Sequence, residues 1–271
     1  MPQNILQLKP DPADARIKYG SESLQFGDLR LPKGDGPFPA AIVIHGGFWR
    51  AAYDLEHIGH LCEAFRKAGV ATWSLEYRRL GNTGGGWPGT LQDAGQGADF
   101  LRSIAAPHHV DLRRVVAIGH SAGGHLALWL GARTKLRPDH VLHSTDAISL
   151  RGIVSLAGVA DLRRAWELKL SNSVVADLLG GAPDAVPDRY QAASPIEQLP
   201  FGIPQKLIHG TRDANVPFEI SERYVAAARE RRDNAELIRL EGADHFAVID
   251  PRTQEFAEVQ KAVLGLTLRE F

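Results

Sequence analysis

Three separated stretches carry side chains that could do chemistry together: Gly119-His120-Ser121-Ala122-Gly123-Gly124, Thr211-Arg212-Asp213, and Glu241-Gly242-Ala243-Asp244-His245-Phe246. A serine hydroxyl is a poor nucleophile at neutral pH and requires a base, which itself requires an orienting group. In that order the residues read as nucleophile Ser121, orienting acid Asp213 and general base His245, a set suited to acyl transfer. When such a serine attacks a carbonyl, the oxygen gains negative charge, and backbone N–H groups aimed at it lower the barrier by about 3 to 4 kcal/mol per donor. The stretch His45-Gly46-Gly47-Phe48-Trp49 suits that task, because glycines let the main chain turn its N–H groups inward without a Cβ in the way. The N–H groups of Gly47, Phe48 and Ala122 are therefore the candidate oxyanion donors.

Each position has rivals. Asp161 also follows an apolar strand-like run, and Asp244 adjoins the base; Asp213 is preferred because it sits where the strand before the base's own strand should end. Of the eleven histidines, His45, His120, His125 and His209 also fall near strand ends and read as hydrogen-bonded loop or shell residues. His120 is in addition a candidate pocket residue with Trp49 and Trp87, although both tryptophans would serve equally well packing loops onto the core. His57 and His60 share a helix with Leu and Phe and match no zinc signature, so neither a metal nor a cofactor is expected.

Chemistry of this kind needs strands whose ends present the loops. The run Ala40 to Ile44, the segment VATWSLEY, RVVAIG (114–119), GIVSLAG (152–158), QKLIHG (205–210) and AELIRL (235–240) are apolar enough to be strands. Helical spacing recurs between them, at Leu55-Ile58-Leu61-Phe65-Ala68, at Leu91-Ala94-Ala98-Leu101, and near 122–132, 218–230 and 252–264. ARIKYG and SLQFGDLRL add a leading antiparallel pair. Alternating strands and helices predict one α/β domain over residues 1–271, a mostly parallel sheet of about eight strands with helices on both faces and chemistry at the strands' carboxyl ends. The longest excursion, residues 161–203, reads as a small helical lid insertion that shapes substrate choice.

Composition excludes several classes. Lys and Arg number 31 against 32 Asp and Glu, for a formal charge of −1, so nothing favours a nucleic acid or an anionic membrane. The one cysteine, Cys62, cannot form an intramolecular disulfide and reads as a core hydrophobe. No run of apolar residues is long enough to span a membrane and the first twenty residues lack a signal-peptide pattern, which predicts a cytoplasmic protein. A homodimer stays open.

HGGFW, GHSAGG, HGTRDANVP and GADHF together resemble the α/β-hydrolase superfamily, specifically its bacterial esterase branch related to hormone-sensitive-lipase-like enzymes, feruloyl and acetyl esterases and kynurenine formamidases. The resemblance runs from about residue 23 to the end and implies the same triad and oxyanion donors. Phe48 stands where hormone-sensitive-lipase-like esterases carry a fourth motif residue, Gly, and HGGFW is closer to the H-G-G-x-W of serine-dependent formamidases and their esterase relatives. Two substrates follow, a small carboxylic ester or, alternatively, an N-formyl arylamine. A third reading, a hydrolase-fold binding protein without turnover, would be expected to show a broken triad, and all three members are present.

Overall fold

The structure, a computed structural model, describes residues 4–267. A 3-10 turn at Ile5–Gln7 precedes strands β1 (Ala15–Lys18), β2 (Phe26–Arg30) and β3 (Phe38–Ile44). Helix α1 (Gly59–Lys67), β4 (Ala71–Leu75), α2 (Gly89–Ala105), β5 (Val110–His120) and α3 (Ala122–Ala132) follow in alternation. After β6 (Gly152–Leu156) come four short helices, α4 (Leu162–Glu167), α5 (Leu170–Leu179), α6 (Pro187–Ala193) and α7 (Pro195–Gln198). The chain ends with β7 (Gln205–Gly210), α8 (Glu219–Glu230), β8 (Ala235–Leu240) and α9 (Phe256–Thr267).

The strands form one eight-stranded sheet in the order β1-β2-β4-β3-β5-β6-β7-β8. The β1–β2 and β2–β4 pairs are antiparallel, and every pair from β4 through β8 is parallel. All the expected strands are present, and the expected helices differ from the observed ones by only a few residues at their ends. No helix among the described residues is long and apolar enough to cross a membrane.

Alternation along the central strands explains the continuous apolar runs in the sequence. Ala40, Ile42 and Ile44 of β3 join one core with Val115 and Ala117 of β5, while Ala41, Val43, Val116 and Ile118 join a second core on the opposite face. A strand buried on both faces has no polar side to show. Cys62 lies in the second core, where burial pushes its thiol up to about 11.

The register aligns the carboxyl ends of the central strands, pairing Ile44 with Gly119 and His120 with Leu156. Helix α3 begins immediately after β5 and so close to β3 that a Cβ on Gly123 would lie 2.1 Å from the Ile44 carbonyl oxygen. Gly265 in α9 is the opposite case, with nothing within 4 Å of a built Cβ. Gly123→Ala should therefore lower the melting temperature by about 3 to 10 °C through overpacking. Gly265→Ala should raise it by about 1 to 4 °C by restricting the unfolded chain and favouring helix. Differential scanning fluorimetry of both variants checks the pair; equal melting temperatures would contradict it.

Candidate active site

The turn from β5 into α3 carries Ser121 at φ 56° and ψ −118°, a region that a non-glycine residue occupies only when its surroundings enforce it. Three backbone bonds enforce it here: Ser121 N–H to the Leu156 carbonyl at 2.8 Å, and the N–H groups of His125 and Val159 to the Ser121 carbonyl at 3.1 and 3.4 Å. A Cβ on Gly119 would lie 2.0 Å from the Gly123 carbonyl oxygen, which is why the residues flanking the serine at two positions' distance are side-chain-free. The result is a hydroxyl lifted off the sheet at the amino end of a buried helix, where the helix dipole favours negative charge.

Asp213 and His245 sit on the loops after β7 and β8, with His245 Nδ1–H donating to Asp213 Oδ2 at 2.6 Å. Asp213 Oδ1 accepts the N–H groups of Asn215 and Val216, both at 2.8 Å. Burial alone would push the Asp213 carboxyl upward. Hydrogen bonds from His209 and His245, the His245 charge and the Val216 N–H outweigh that and hold it below the usual carboxylate range. The rival acids are occupied elsewhere. Asp161 caps α4, accepting from Arg164 N–H at 3.0 Å and pairing with Arg223 at 3.0 Å, and Asp244 accepts the N–H groups of Phe246 and Ala247, each at 2.9 Å.

Ser121 and His245 meet on a cavity of about 160 Å³ together with Gly47, Phe48 and His120. Among the described residues Ser121 Oγ has no hydrogen bond to the His245 ring, a looseness common before substrate tightens a catalytic pair. Among the described residues the N–H groups of Gly47, Phe48 and Ala122 likewise have no acceptor in the protein. The first of these loops lies against the serine: a Cβ on Gly46 would be 3.0 Å from Ser121 Cβ.

What holds the His45–Trp49 loop is a buried carboxylate. Glu76, just past β4, accepts His45 Nε2–H at 3.1 Å and the Tyr77 N–H at 2.9 Å, pairs with Arg79 at 2.9 Å and accepts the Leu55 N–H at 3.3 Å. Tyr77 stacks on His45 with ring centres 4.4 Å apart and donates its hydroxyl to the His45 carbonyl at 2.9 Å. Gly47, Phe48 and Trp49 all take positive φ, and Trp49 is anchored through its carbonyl, which accepts the Leu80 N–H at 2.8 Å.

Of the three expected pocket residues, His120 lines the cavity and the two tryptophans do not. His120 Nε2–H donates to the His245 carbonyl at 2.9 Å and its ring lies 4.5 Å from the His245 ring; burial, with His245 and His57 nearby, holds it far below the ordinary histidine range and so neutral. Trp49 is fully buried in the core, edge-on to His125 at 5.2 Å. Trp87 packs against the same core from the 81–90 loop, 6.0 Å from His140 and 5.7 Å from the Arg189 guanidinium. The 161–203 insertion likewise contributes no residue to this cavity. Its Val174, Leu178, Tyr190 and Ala193 are buried in the main core, and the carbonyls of Ala192 and Ala193 cap Trp129 and His125. Apolar positions on these helices face inward and pack beside α3, while the Ser171 carbonyl accepts from the Arg50 guanidinium at 2.9 Å, next to the His45–Trp49 loop.

The rest of the wall comes from residues that the sequence did not mark as pocket residues: Leu6, Tyr53, His57, Asn215 and Phe246. Leu6 belongs to the 3-10 turn near the chain start, whose neighbour Ile5 is buried in the second core. His57, read only against zinc, faces the cavity instead, and burial with the charge of His45 pushes it down to about 3. Among the described residues no group of three His, Cys, Asp or Glu side chains is placed to hold a metal ion.

A strained serine between strand and helix, a histidine–carboxylate pair on the next loops and free backbone donors beside them, on a mostly parallel sheet, define an α/β-hydrolase. The chain belongs to the BD-FAE family, whose model matches residues 28–227. It is 25% identical over 272 residues to a probable isoprenylcysteine alpha-carbonyl methylesterase of Arabidopsis thaliana, covering 92% of this chain and 55% of that protein. It is 25% identical over 253 residues to esterase LipC of Mycobacterium tuberculosis, covering 87% and 60%. The chain thus spans little more than half the length of these curated relatives. A truncated carbohydrate esterase from gut microbiota shares the fold with a TM-score of 0.81 at 24% identity, covering 97% of this chain and 100% of that one.

The two buried carboxylates make the site acid-sensitive. For Glu76, burial raises the affinity for a proton, but His45, Arg79 and the Tyr77 N–H together hold the group below its ordinary value of 4.5. Glu76 and Asp213 thus both release their protons more readily folded than unfolded. The stability they contribute is complete above the unfolded carboxylate values near pH 4 and is lost as pH falls through the lower folded ones. Glu76→Gln should cost on the order of 3 kcal/mol at pH 7 and flatten the decline in stability between pH 5 and 2.5. Urea unfolding at a series of pH values measures both; an unchanged slope would remove Glu76 from the account.

Proposed function

We propose that the protein is a serine ester hydrolase that cleaves small uncharged carboxylic esters through an acyl-enzyme. Ser121 is the nucleophile, His245 the general base and then acid, Asp213 the orienting acid, and the N–H groups of Gly47, Phe48 and Ala122 the oxyanion donors. The observation that carries this reading is that Ser121, His245 and two of the three unbonded donor residues share one cavity, with His245 Nδ1 bonded to Asp213 at 2.6 Å. In the reaction His245 Nε2 takes the Ser121 proton as Oγ attacks the carbonyl carbon. The oxyanion is held by the three N–H groups, and the same proton passes to the departing alkoxide. Water, deprotonated by His245, repeats the sequence to release the acid and restore Ser121. No step calls for a cofactor.

Among the described residues the cavity wall has no Lys, Arg, Asp or Glu, and the histidines His57 and His120 are held neutral by burial. A charged acyl group would lose its hydration there with nothing to replace it. The volume near 160 Å³, bounded by Leu6, Phe48, Tyr53 and Phe246, favours a short chain. The ester hydrolases among the relatives support an ester over the formamide alternative, and no feature of the cavity favours an arylamine. A small-molecule substrate, without a nucleic-acid or membrane partner, and a cytoplasmic setting belong to the same reading, supported by the near-balanced charge.

Initial rates on p-nitrophenyl acetate, p-nitrophenyl octanoate and N-formylkynurenine test it. Acetate should lead octanoate by about tenfold or more in kcat/KM, and Ser121→Ala should lose at least about 1000-fold. Leu6→Ala should narrow the acetate–octanoate gap by enlarging the cavity. A lead for N-formylkynurenine by orders of magnitude would replace the ester with the formamide, and activity surviving Ser121→Ala would end the nucleophile assignment.

A further inference from the structure

His209 is the last buried side chain of β7 before the loop that carries Asp213, and it is fully shielded from solvent. Its Nε2 lies 3.1 Å from Asp213 Oδ2 and 3.0 Å from the Val216 carbonyl oxygen. Both are acceptors, so Nε2 carries the hydrogen. Its Nδ1 lies 2.7 Å from Ser221 Oγ, whose hydroxyl can donate; Ser221 is itself buried in the first turn of α8. Every polar atom of the neutral Nε2–H ring therefore has a partner, and only that tautomer achieves this.

The consequence falls on Asp213 Oδ2, which receives two ring N–H groups, one from His209 and one from His245, while Oδ1 receives two backbone N–H groups. The backbone pair alone leaves the carboxylate able to turn about the Oδ1 contacts. A second side-chain donor on Oδ2 removes that freedom. We propose that His209 is a positioning residue, whose Nε2–H, aimed by Ser221, holds Asp213 Oδ2 where it meets His245 Nδ1. This rests on the reading of Asp213 as the orienting acid of an ester hydrolase.

The groups facing this pair come from several elements. His120 of β5 lies 4.5 Å from the His245 ring and Phe246 5.1 Å from it. His57, from the 3-10 helix Leu55–Ile58 before α1, reaches His120 at 6.2 Å. On the other side Phe218 stands edge-on to His209 at 5.4 Å, and Arg239 of β8, ion-paired to Glu241, lies over the Phe218 ring at 5.0 Å. None of these donates to Asp213, so the loss of His209 has no replacement among them.

Without the His209 donor, more of the carboxylate's charge is directed at His245, which favours the protonated ring. The basic form needed for attack is then reached only at higher pH. His209→Leu should lower kcat for p-nitrophenyl acetate by about 10- to 100-fold with KM within about threefold. The acidic limb of kcat/KM should move upward by about half a pH unit or more. His209→Gln, whose side-chain amide can present an N–H near the same place, should recover most of kcat and return the limb toward wild type. Fluorophosphonate titration gives the folded, reactive fraction, to which all rates are normalised. If His209→Leu does not fold, Ser221→Ala, which frees the ring without touching Asp213, should show the same direction at about 3- to 10-fold.

A normalised kcat equal to wild type, or a lowered kcat with an unmoved acidic limb and no recovery in His209→Gln, would overturn the inference. For Ser221→Ala, an unchanged kcat and limb would do the same. Asp213→Asn separates this from the underlying reading: its loss of activity alongside an inert His209→Leu sinks only the role of His209, whereas full activity in Asp213→Asn sinks the triad itself.

Discussion

Everything at the site depends on one strained residue, Ser121, whose backbone at φ 56° costs on the order of 1 to 3 kcal/mol. The strain survives because the segments on either side cannot move. Upstream, Val116, Ala117 and Ile118 of β5 are buried between two parallel neighbours. Downstream, Leu126, Leu128, Trp129 and Leu130 of α3 are almost wholly buried, each worth roughly 1.5 to 3 kcal/mol in apolar area removed from water. That sum exceeds the strain several times over. The close approach of Gly123 to Ile44 is the contact that lets the helix seat without lifting off the sheet.

A strained serine alone does little; its partners must arrive at fixed positions from loops that are otherwise free. Two buried carboxylates solve the same problem on opposite sides of it. Glu76 gathers His45, the Tyr77 N–H, Arg79 and the Leu55 N–H, and thereby holds the loop from which Gly47 and Phe48 line the cavity. Asp213 gathers His209, His245 and two backbone N–H groups, and thereby holds the His245 ring. In both cases the buried charge is stable only when fully bonded, so each loop has one arrangement that avoids an unpaired carboxylate. In the proposed reaction, donors pre-set in this way need no reorganisation as charge develops.

The legibility of these features in the sequence followed their range. Strands β3 to β8 and helices α2, α3 and α8 were legible because their patterns repeat within a few residues, and Ser121 because its glycines and the strand and helix around it are local. Asp213 and His245 were legible from strand-end position. Glu76 was hidden in the run VATWSLEY, since its partner His45 lies 31 residues earlier and nothing local marks an acid as buried. Leu6 was hidden for a similar reason: a three-residue turn has no periodicity, and its seat is made by distant residues such as His60, which bonds the Leu8 carbonyl at 3.2 Å. Trp49 was ambiguous in principle, because an aromatic beside a donor loop can turn toward the cavity or the core. Its positive φ, invisible in the sequence, accompanies the inward course.

The placement of the 161–203 helices bears on how selective such a cavity can be. A lid that closes over a substrate can exclude water and add contacts along its length; these helices instead bury Tyr190 and Ala193 beside α3, leaving the cavity bounded by Leu6, Tyr53, His57 and Phe246. With no Lys, Arg, Asp or Glu on that wall among the described residues, the proposed hydrolase would discriminate by fit, where one methylene is worth only about 1 to 3 kcal/mol. On the ester-hydrolase reading proposed above, such a cavity separates acyl chains by length within roughly tens- to hundreds-fold. Sharper selectivity requires a buried polar contact to the substrate, and the polar side chains of the wall that could supply one include the Asn215 amide and the His57 and His120 imidazoles.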